Sequence, residues 1–275
     1  MTGRLAVVTG AASGMGRLTT ARPVASGWTV AAVDLAAAQL KTTAAEIGAT
    51  PYPCDVGDSA QVAATVSEVS ERFGAIDRLI NAAGIAISGG IEDLSIEAFE
   101  RSMNVNYFGT VRWVKAVLPV MRKRGSGEIV LFASLAGWMP TPRMAAYTAT
   151  KFAVVGLAET LAMELQGSGI TVRCVCPGAV QTPMLDDIVA KGMPDRLKNL
   201  SRAAPPSQVI DAVEASLSGR QRGIFVFPGV PAKVLWRLRR LSPGALAGWS
   251  GGSRDRDRQR RRSGLDKLDE LFSGQ

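Results

Sequence analysis

The chain has 275 residues, of which 47 % are hydrophobic, carries a net charge of +8 at pH 7 and contains no histidine. This length suits one domain with a full core, and the absence of histidine excludes Ser-His-Asp hydrolysis and most zinc sites. The three cysteines, Cys54, Cys174 and Cys176, form no spaced pairs, which argues against a disulfide framework. No metal site is predicted.

The sequence shows no sign of a membrane span or a cleavable leader. No apolar stretch approaches the ~20 residues needed to cross a bilayer. The N-terminus runs straight into an apolar, strand-like segment, which leaves no room for a signal peptide. We therefore expect a cytoplasmic protein, with a peripheral position at a membrane as the alternative.

The first apolar run, residues 5–8, leads into a glycine-rich turn. The turn contains Gly10, Ser13, Gly14, Met15 and Gly16. Glycines let the backbone turn sharply and approach a ligand, and a following helix points free amide groups at an anion. The turn predicts a pyrophosphate cradle of the dinucleotide-binding type, with spacing G-x-x-x-G-x-G instead of G-x-G-x-x-G. Taken alone, it is also compatible with a plain loop.

The second apolar run, residues 28–33, ends at Asp34. An acidic residue about twenty positions after the glycine turn can accept hydrogen bonds from ribose hydroxyls. Its charge repels a 2′-phosphate, so we predict NAD as the cofactor in preference to NADP. Arg17 is the counter-argument, because an arginine after the turn could pair with a 2′-phosphate; its alternative interpretation is an exposed residue at a helix start.

Apolar runs of strand length alternate with helical patterns along the chain. The runs cover residues 5–9, 28–34, 49–53, 77–81, 128–133, 170–176 and 223–227, and helical patterns include 59–73, 95–122 and 145–166. This alternation predicts an α/β fold, a Rossmann-like doubly wound parallel sheet flanked by helices in a single domain. Ligands bind at the carboxyl ends of such strands, where Asp34, Asp55, Asn81, Ser134 and Pro177 fall.

Three residues with complementary chemistry follow the fifth apolar run, residues 128–133. Ser134 stands where residues 128–133 end, and Tyr147 and Lys151 share one face of the next predicted helix because they are four apart. A nearby cation lowers the pKa of a phenol from its usual value of about 10. The set predicts proton transfer to or from an alcohol or carbonyl oxygen. An isolated Y-x-x-x-K would instead be a half-buried tyrosine and a solvated lysine.

The C-terminal segment, residues 231–275, is basic. Residues 233–275 contain eleven Lys/Arg and five Asp/Glu, which gives this segment a net charge of +6. Lys233, Arg237 and Arg240 share one helical face, and Val234, Leu235, Leu238 and Leu241 lie largely on another. A basic amphipathic segment can lie on an anionic membrane. The alternatives are a solvated tail, one that wraps its own oligomer, and, less favoured, a nucleic-acid-binding run at residues 254–262.

Six motifs stand in a fixed order in residues 4–228. They read TGAASGMG from Thr9, CDV from Cys54, NAAG from Asn81, NVNYFG from Asn104, Ser134 with YTATK from Tyr147, and PGAVQT from Pro177. In this order and spacing they resemble the short-chain dehydrogenase/reductase family, in its compact single-domain branch. The resemblance assigns residues 1–230 to one NAD(P)-binding domain.

The resemblance also assigns roles residue by residue. It implies a catalytic set of Asn106, Ser134, Tyr147 and Lys151. It implies cofactor contacts from Gly10, Ser13, Gly14, Met15, Gly16, Asp34, Asp55, Val56, Asn81, Ala82, Ala83, Gly84, Tyr147, Lys151, Pro177, Gly178, Val180 and Thr182. Asn104 is the alternative to Asn106, and Asn81 is interpreted as structural, bonding the backbone around the cofactor.

The implied reaction is reversible hydride transfer between a nicotinamide cofactor and an alcohol or ketone. Tyr147 acts as the acid/base, Lys151 lowers its pKa and holds the nicotinamide ribose, Ser134 bonds the substrate oxygen, and Asn106 supports a water relay from Lys151. The alternatives are a catalytically idle dinucleotide-binding sensor or scaffold and, within enzymes, a hydrolase or lyase. Relatives in this family are commonly dimers or tetramers, so a homodimer or homotetramer is expected.

The substrate is indicated by an apolar, methionine-rich loop at about 183–204. By resemblance this loop and the segment with Trp138, Met139 and Met144 border the substrate pocket. Methionine adapts to irregular shapes, so we predict a lipophilic secondary alcohol or ketone. The alternative is that these residues pack on one another or on a neighbouring subunit.

Overall fold

A computed structural model describes residues 3–190, 203–219 and 223–241. The chain divides into two compact units, residues 1–233 and residues 234–275. The first unit contains the sheet and the candidate site. The described part of the second unit, residues 234–241, is helical.

Seven parallel strands form one sheet in the order β3-β2-β1-β4-β5-β6-β7. Their bounds are β1 Leu5–Thr9, β2 Thr29–Asp34, β3 Thr50–Pro53, β4 Arg78–Asn81, β5 Gly127–Phe132, β6 Ile170–Val175 and β7 Phe225–Val226. All seven lie within two residues of the apolar runs. The predicted doubly wound parallel sheet is confirmed.

Helices cover both faces of the sheet. They are α1 Gly14–Ala25, α2 Ala37–Ile47, α3 Ser59–Phe73, α4 Ile96–Met103, α5 Gly109–Arg124, α6 Ala145–Glu164, α7 Pro183–Ala190, α8 Pro206–Leu217 and α9 Val230–Leu241. A π-helix, Asn104–Phe108, joins α4 to α5, and a short 3₁₀ turn spans Leu135–Gly137. The single helix expected over 95–122 is therefore interrupted by five residues of π-helix, which has a wider turn.

The core has two layers because strand side chains alternate between the two faces of the sheet. Leu5 and Val7 of β1 belong to one buried cluster, whereas Ala6 and Val8 belong to the other. A parallel sheet is covered on both faces, which explains why these strands read as continuous apolar runs.

The strand order reverses between β1 and β4. Thr9, the last residue of β1, is in register with Asn81, the last residue of β4. In a doubly wound sheet the crevice at this reversal is the usual ligand site. The glycine-rich turn leaves β1 at this point, so the fold places it at the crevice.

Candidate functional site

The glycine-rich turn after β1 is packed too closely for larger residues. Gly10 has φ +71°, and a Cβ there would lie 2.8 Å from the amide nitrogen of Ala83. A Cβ on Gly16 would lie 1.9 Å from the carbonyl oxygen of Gly10. Both glycines are required because backbone approaches backbone, which is the packing a dinucleotide-binding turn uses.

The start of α1 brings two predicted cofactor segments together. Ser13 precedes the helix in an extended conformation, and its side chain caps none of the first amide groups. Gly14 has φ +54°, and a Cβ there would have Thr182 as its nearest neighbour, at 3.8 Å. Uncapped amides at a helix start suit an anion such as a pyrophosphate. Met15, the next residue, packs partly buried against the core.

Asp34 lies at the end of β2 beside the turn. One carboxylate oxygen accepts a hydrogen bond from the amide of Ala12 at 3.0 Å, and the other accepts from Ala36 at 3.0 Å. These bonds fix the carboxylate and leave lone pairs for a further donor. Arg17 is paired with Glu46 of α2 at 2.8 Å, with both side chains about half exposed.

A chain of hydroxyls and amides sets the loop after β4. The Thr9 hydroxyl donates to Asn81 Oδ1 at 3.1 Å and accepts from the amide of Ala83 at 3.1 Å. Asn81 Nδ2 donates to Thr110 Oγ1 at 2.7 Å. Asn81 therefore bonds two side-chain hydroxyls, and it reaches the backbone of the following loop through Thr9, which contacts Ala83.

Asn106 is buried in the π-helix and faces this loop. Its Oδ1 accepts from the amide of Ile85 at 2.8 Å, and its Nδ2 donates to the Ile85 carbonyl at 2.9 Å and to Thr150 Oγ1 at 3.0 Å. A Cβ on Gly84 would lie 3.1 Å from Asn106 Oδ1 and 3.7 Å from Lys151 Nζ. Gly84, Asn106 and Lys151 thus converge.

Asn104, the alternative candidate, belongs to a different cluster. Its side chain bonds Gly57 and Arg112 beside α3. In the same region, Asp55 accepts from the amide of Gly57 at 2.7 Å, and Val56 packs against Gly109. The structure therefore separates the two asparagines, and only Asn106 lies near Lys151.

Ser134, Tyr147 and Lys151 meet beyond the carboxyl end of β5. The Ser134 hydroxyl is near enough to Tyr147 to influence the pKa of its phenol, and Ser134 Oγ accepts from the amide of Ala136 at 3.1 Å. Lys151 is 5 % exposed, and its Nζ donates to the carbonyl of Phe132 at 2.8 Å. Nζ lies 5.5 Å from the centroid of the Tyr147 ring. The predicted triad is thus assembled at one strand edge.

The ionisation of this triad differs from the sequence-based expectation. Burial of the phenol raises the pKa of Tyr147, and the nearby Ser134 hydroxyl opposes that rise. The side chain as a whole is half-buried. Burial lowers the pKa of Lys151 from 10.5 to about 8, with Cys174 and Cys176 opposing. The expected lowering of the Tyr147 pKa by Lys151 is not found: desolvation of the phenol is the largest influence, and the Lys151 ammonium points to the Phe132 carbonyl.

We expect Lys151 to make stability depend on pH. Between pH 8 and 10.5 the unfolded lysine keeps its proton while the buried amine loses it, so the free energy of unfolding rises with pH. Relative to Lys151→Met, the wild type should gain up to about 1.4 kcal/mol per pH unit in chemical denaturation. Below pH 8 the difference should be constant.

The control for this titration is Lys115→Met, which removes an exposed lysine of α5. Its difference from the wild type should stay flat over the same interval. A flat difference for Lys151→Met as well would show that the Lys151 amine titrates at its ordinary value.

The segment after β6 closes the site. Pro177 is buried, and its carbonyl accepts from the amide of Leu135 at 2.7 Å and from Ser134 Oγ at 3.5 Å. Gly178 is exposed, Val180 is buried in a bridge with Ala204, and the hydroxyl of Thr182 accepts from the amide of Leu185 at 3.4 Å. The segment therefore links the triad to α7.

The apolar residues predicted to border the substrate divide into two groups. Trp138 packs edge-on against Phe225 at 4.9 Å and donates to Cys176 Sγ at 3.4 Å, so it packs against the core while part of its surface stays exposed. Met144 is also buried. On α7, Met184 and Leu185 are half-buried and Val189 is 37 % exposed. Met193, Leu197 and Leu200 lie outside the described residues.

Two hydroxyls with a positioning role were missed in the sequence. Thr150 joins Asn106 to the Tyr147 carbonyl, to which it donates at 2.7 Å, and Thr110 joins Asn81 to the Asn106 carbonyl. Thr150 lies inside the Y-x-x-x-K motif. Thr110 follows Asn106 by four residues, a spacing that puts Thr110 and Asn106 on one helical face.

The described residues contain neither a membrane-spanning helix nor a metal-binding cluster. Within residues 3–190, 203–219 and 223–241, no helix is both long and apolar enough to cross a membrane. Across the same ranges, no three or more His, Cys, Asp or Glu side chains are grouped so that they could hold a metal ion.

The chain is similar to proteins of known class. A family model described as short chain dehydrogenase matches residues 4–192. The 2-(R)-hydroxypropyl-CoM dehydrogenase of Xanthobacter autotrophicus is 39 % identical over 228 residues, which cover 76 % of this chain and 89 % of that protein.

Two solved structures share the fold. A short chain dehydrogenase/reductase from Burkholderia phymatum in complex with NAD has a TM-score of 0.79 at 26 % identity, covering 89 % of this chain and 95 % of its own. An actinorhodin polyketide ketoreductase variant with NADPH has a TM-score of 0.77 at 31 % identity, covering 82 % and 95 %. Together the comparisons support a nicotinamide-dependent oxidoreductase, and the structural neighbours include complexes with NAD and with NADPH.

Proposed function

Because the chain belongs to the short chain dehydrogenase family, we propose that it transfers hydride reversibly between NAD and a lipophilic secondary alcohol or its ketone. The observation that carries this proposal is the meeting of Ser134, Tyr147 and Lys151 beyond the end of β5. A hydroxyl, a phenol and a buried amine at one strand edge suit proton exchange with a substrate oxygen.

The residues of the site fit a dinucleotide. The tight turn at Gly10 and Gly16 leaves backbone amides at the start of α1 for a pyrophosphate, and Asp34 presents a fixed carboxylate for ribose hydroxyls. The loop at Asp55 and Val56 borders the adenine, and the Pro177–Thr182 segment borders the nicotinamide. When bound, the nicotinamide ring accepts or supplies the hydride.

Tyr147 exchanges a proton with the substrate oxygen while Ser134 Oγ donates a hydrogen bond to that oxygen. A buried phenolate is costly alone, but a charged Lys151 5.5 Å from the ring offsets that cost when the proton leaves. Lys151 also holds the nicotinamide ribose. Asn106 keeps Ile85 and Thr150 in place and so supports a water relay from Lys151.

We expect the enzyme to prefer NAD to NADP by at least about tenfold in kcat/KM, because Asp34 faces the position of the 2′-phosphate and like charges repel. Asp34→Ser should reduce this preference, whereas Arg17→Gln should leave it unchanged, since Arg17 is paired with Glu46. Steady-state kinetics with both dinucleotides measures the ratio. A wild type that prefers NADP would contradict the role given to Asp34.

The proposed substrate follows from the apolar side chains of α7. Met184, Leu185 and Val189 keep part of their surface exposed after the segment that borders the nicotinamide. Such residues favour a lipophilic substrate, and a homodimer or homotetramer in the cytoplasm is the form we expect to act on it. The alternative is that these side chains of α7 contact a second subunit. In that case Met184→Gln should change the oligomeric state and leave KM unchanged.

The test is a turnover assay of the purified full chain with NAD or NADP and a graded series of secondary alcohols. We expect reduced nicotinamide to accumulate, with KM falling as the alcohol becomes more apolar. NADH binding without turnover of any alcohol or ketone would favour the idle sensor or scaffold. Turnover of an ester or of an eliminating substrate without any dinucleotide would favour a hydrolase or lyase.

A second candidate function is contact with an anionic membrane surface. In the described part of the second unit, Val234, Leu238 and Leu241 are 47 %, 51 % and 84 % exposed and recur at helical spacing. Arg237 and Arg240 are exposed beside them, and residues 234–275 carry ten Lys/Arg and five Asp/Glu. An apolar stripe beside basic residues suits a lipid interface.

Co-sedimentation of the full chain with anionic and with neutral vesicles tests this second candidate. Binding to anionic vesicles that is lost at high salt and in Leu238→Gln/Leu241→Gln is the expected result, with turnover in solution unchanged. Equal sedimentation of wild type and variant would remove the membrane role, and salt-sensitive binding to DNA alone would point to nucleic acid.

A further inference from the structure

Arg112 of α5 makes more side-chain hydrogen bonds than its position on a helix surface requires. Its Nε donates to Ser59 Oγ at 2.9 Å, Nη1 to the carbonyl of Asn104 at 3.3 Å and Nη2 to Asn104 Oδ1 at 2.9 Å. Its guanidinium also lies over the Phe108 ring, 5.9 Å from the centroid. The donors of Arg112 therefore join the start of α3 to Asn104 at the first end of the π-helix, and its guanidinium contacts Phe108 at the other end.

The π-helix needs such support because π-helices are rare and occur mostly as single turns within α-helices. Its wider turn brings the amide of Gly109 to the carbonyl of Asn104, five residues earlier. Arg112 supplies a second donor to the same carbonyl and a third contact to the Asn104 side chain. Asn106 lies two residues further on, so the geometry of its side chain depends on this turn.

The loop at residues 55–58 is fitted against the same turn. Asn104 Nδ2 donates to the Gly57 carbonyl at 3.5 Å, and a Cβ on Gly57 would lie 2.6 Å from that nitrogen. A Cβ on Gly109 would lie 3.0 Å from Val56 Cγ2. Backbone and side chains are thus in direct contact, and a displacement of the loop must move the π-helix or break these contacts.

We propose that Arg112 is a positioning residue that couples the 55–58 loop to the π-helix holding Asn106. The proposal rests on the proposed function, in which this loop borders the adenine and Asn106 supports the acid/base group. Arg112 itself touches neither substrate nor cofactor. Binding of the adenine orders the 55–58 loop, and the contacts of Arg112 with Asn104 then hold the π-helix and Asn106 in position.

Hydrogen exchange of the full chain with and without AMP tests the coupling without any turnover. AMP carries the adenine half of the dinucleotide and no nicotinamide. In the wild type we expect AMP to slow exchange both at 55–58 and at 104–109. In Arg112→Met the slowing should be confined to 55–58, whereas Lys115→Met, which removes an exposed cation of the same helix, should behave as the wild type.

The outcomes distinguish a failure of the coupling from a failure of the proposed dinucleotide site. Slowing at 104–109 that persists in Arg112→Met overturns the coupling and leaves the dinucleotide site intact. Slowing at 55–58 alone in the wild type also overturns the coupling. No AMP response at 55–58 in the wild type contradicts the adenine site of the proposed function itself.

Kinetics provide a second readout that a merely structural role would not reproduce. Arg112→Met should lower kcat by about tenfold, because a small misplacement of a supporting group is costly to catalysis. The same change should have little effect on kcat in an Asn106→Ala background, since Arg112 acts through Asn106. Arg112→Lys should not restore kcat, because one ammonium cannot replace a planar fork of donors. Additive losses of kcat in the double variant would overturn the proposal.

Discussion

Tyr147→Phe should reduce turnover by about three orders of magnitude while NADH binding stays close to that of the wild type. The substitution removes only the hydroxyl, which exchanges the proton with the substrate oxygen in the proposed mechanism. The ring keeps its packing in α6. The two measurements are steady-state kcat and the quenching of protein fluorescence by NADH.

Tyr52→Phe is the matched control for this loss. Tyr52 is a buried tyrosine of β3 whose hydroxyl has no hydrogen-bond partner among the described residues. Removing that hydroxyl should leave both turnover and NADH binding unchanged. Near-normal turnover in Tyr147→Phe would refute the acid/base role and would leave the dinucleotide site as the only supported part of the proposal.

Gly16→Ala should abolish dinucleotide binding and lower the free energy of unfolding by about 3 kcal/mol, the upper range for overpacking. The added methyl would lie 1.9 Å from the carbonyl oxygen of Gly10, and that atom is backbone, which cannot rotate away. The turn must therefore open, and the amide groups at the start of α1 leave their positions. Chemical denaturation and NADH titration measure the two effects.

Gly156→Ala gives the opposite expectation and serves as the control. Gly156 lies inside α6, and a Cβ there meets no atom within 4 Å. Because glycine in a helix interior costs about 0.5–1 kcal/mol relative to alanine, this variant should be as stable as the wild type or more so. Equal NADH affinity in Gly16→Ala and the wild type would show that the turn is not the pyrophosphate site.

The fold could be predicted because its strands are buried on both faces. Such strands read as unbroken apolar runs between helical patterns, and residues 5–9 and 170–176 match β1 and β6 closely. The polar residues at the ends of the runs then mark the carboxyl edge. Asp34, Asn81 and Ser134 were placed there by sequence alone, and the structure has them at that edge.

The π-helix could not be predicted in the same way. Five residues are too few to distinguish its pitch from that of an α-helix, so 95–122 reads as one continuous helix. Its partners are equally hidden, because Gly57 and Ser59 are about fifty residues away from Asn104 and Arg112 in the chain. Only the folded structure shows which of the two asparagines faces Lys151.

One interpretation failed because it depends on burial. Lys151 was expected to lower the pKa of Tyr147, but both groups are surrounded by protein, and desolvation acts against either charge. The spacing of residues predicts that two groups are neighbours; it does not predict how much water they lose.

The most direct test of the proposed reaction is the fate of the hydrogen on the alcohol carbon. A secondary alcohol deuterated at that carbon would be incubated with the full chain and NAD, and the reduced cofactor would be analysed by mass spectrometry. Hydride transfer predicts that each NADH molecule carries the deuterium and that Tyr147→Phe forms almost none. Reduced cofactor without deuterium, or ketone formed without reduced cofactor, would contradict hydride transfer between the alcohol and the nicotinamide.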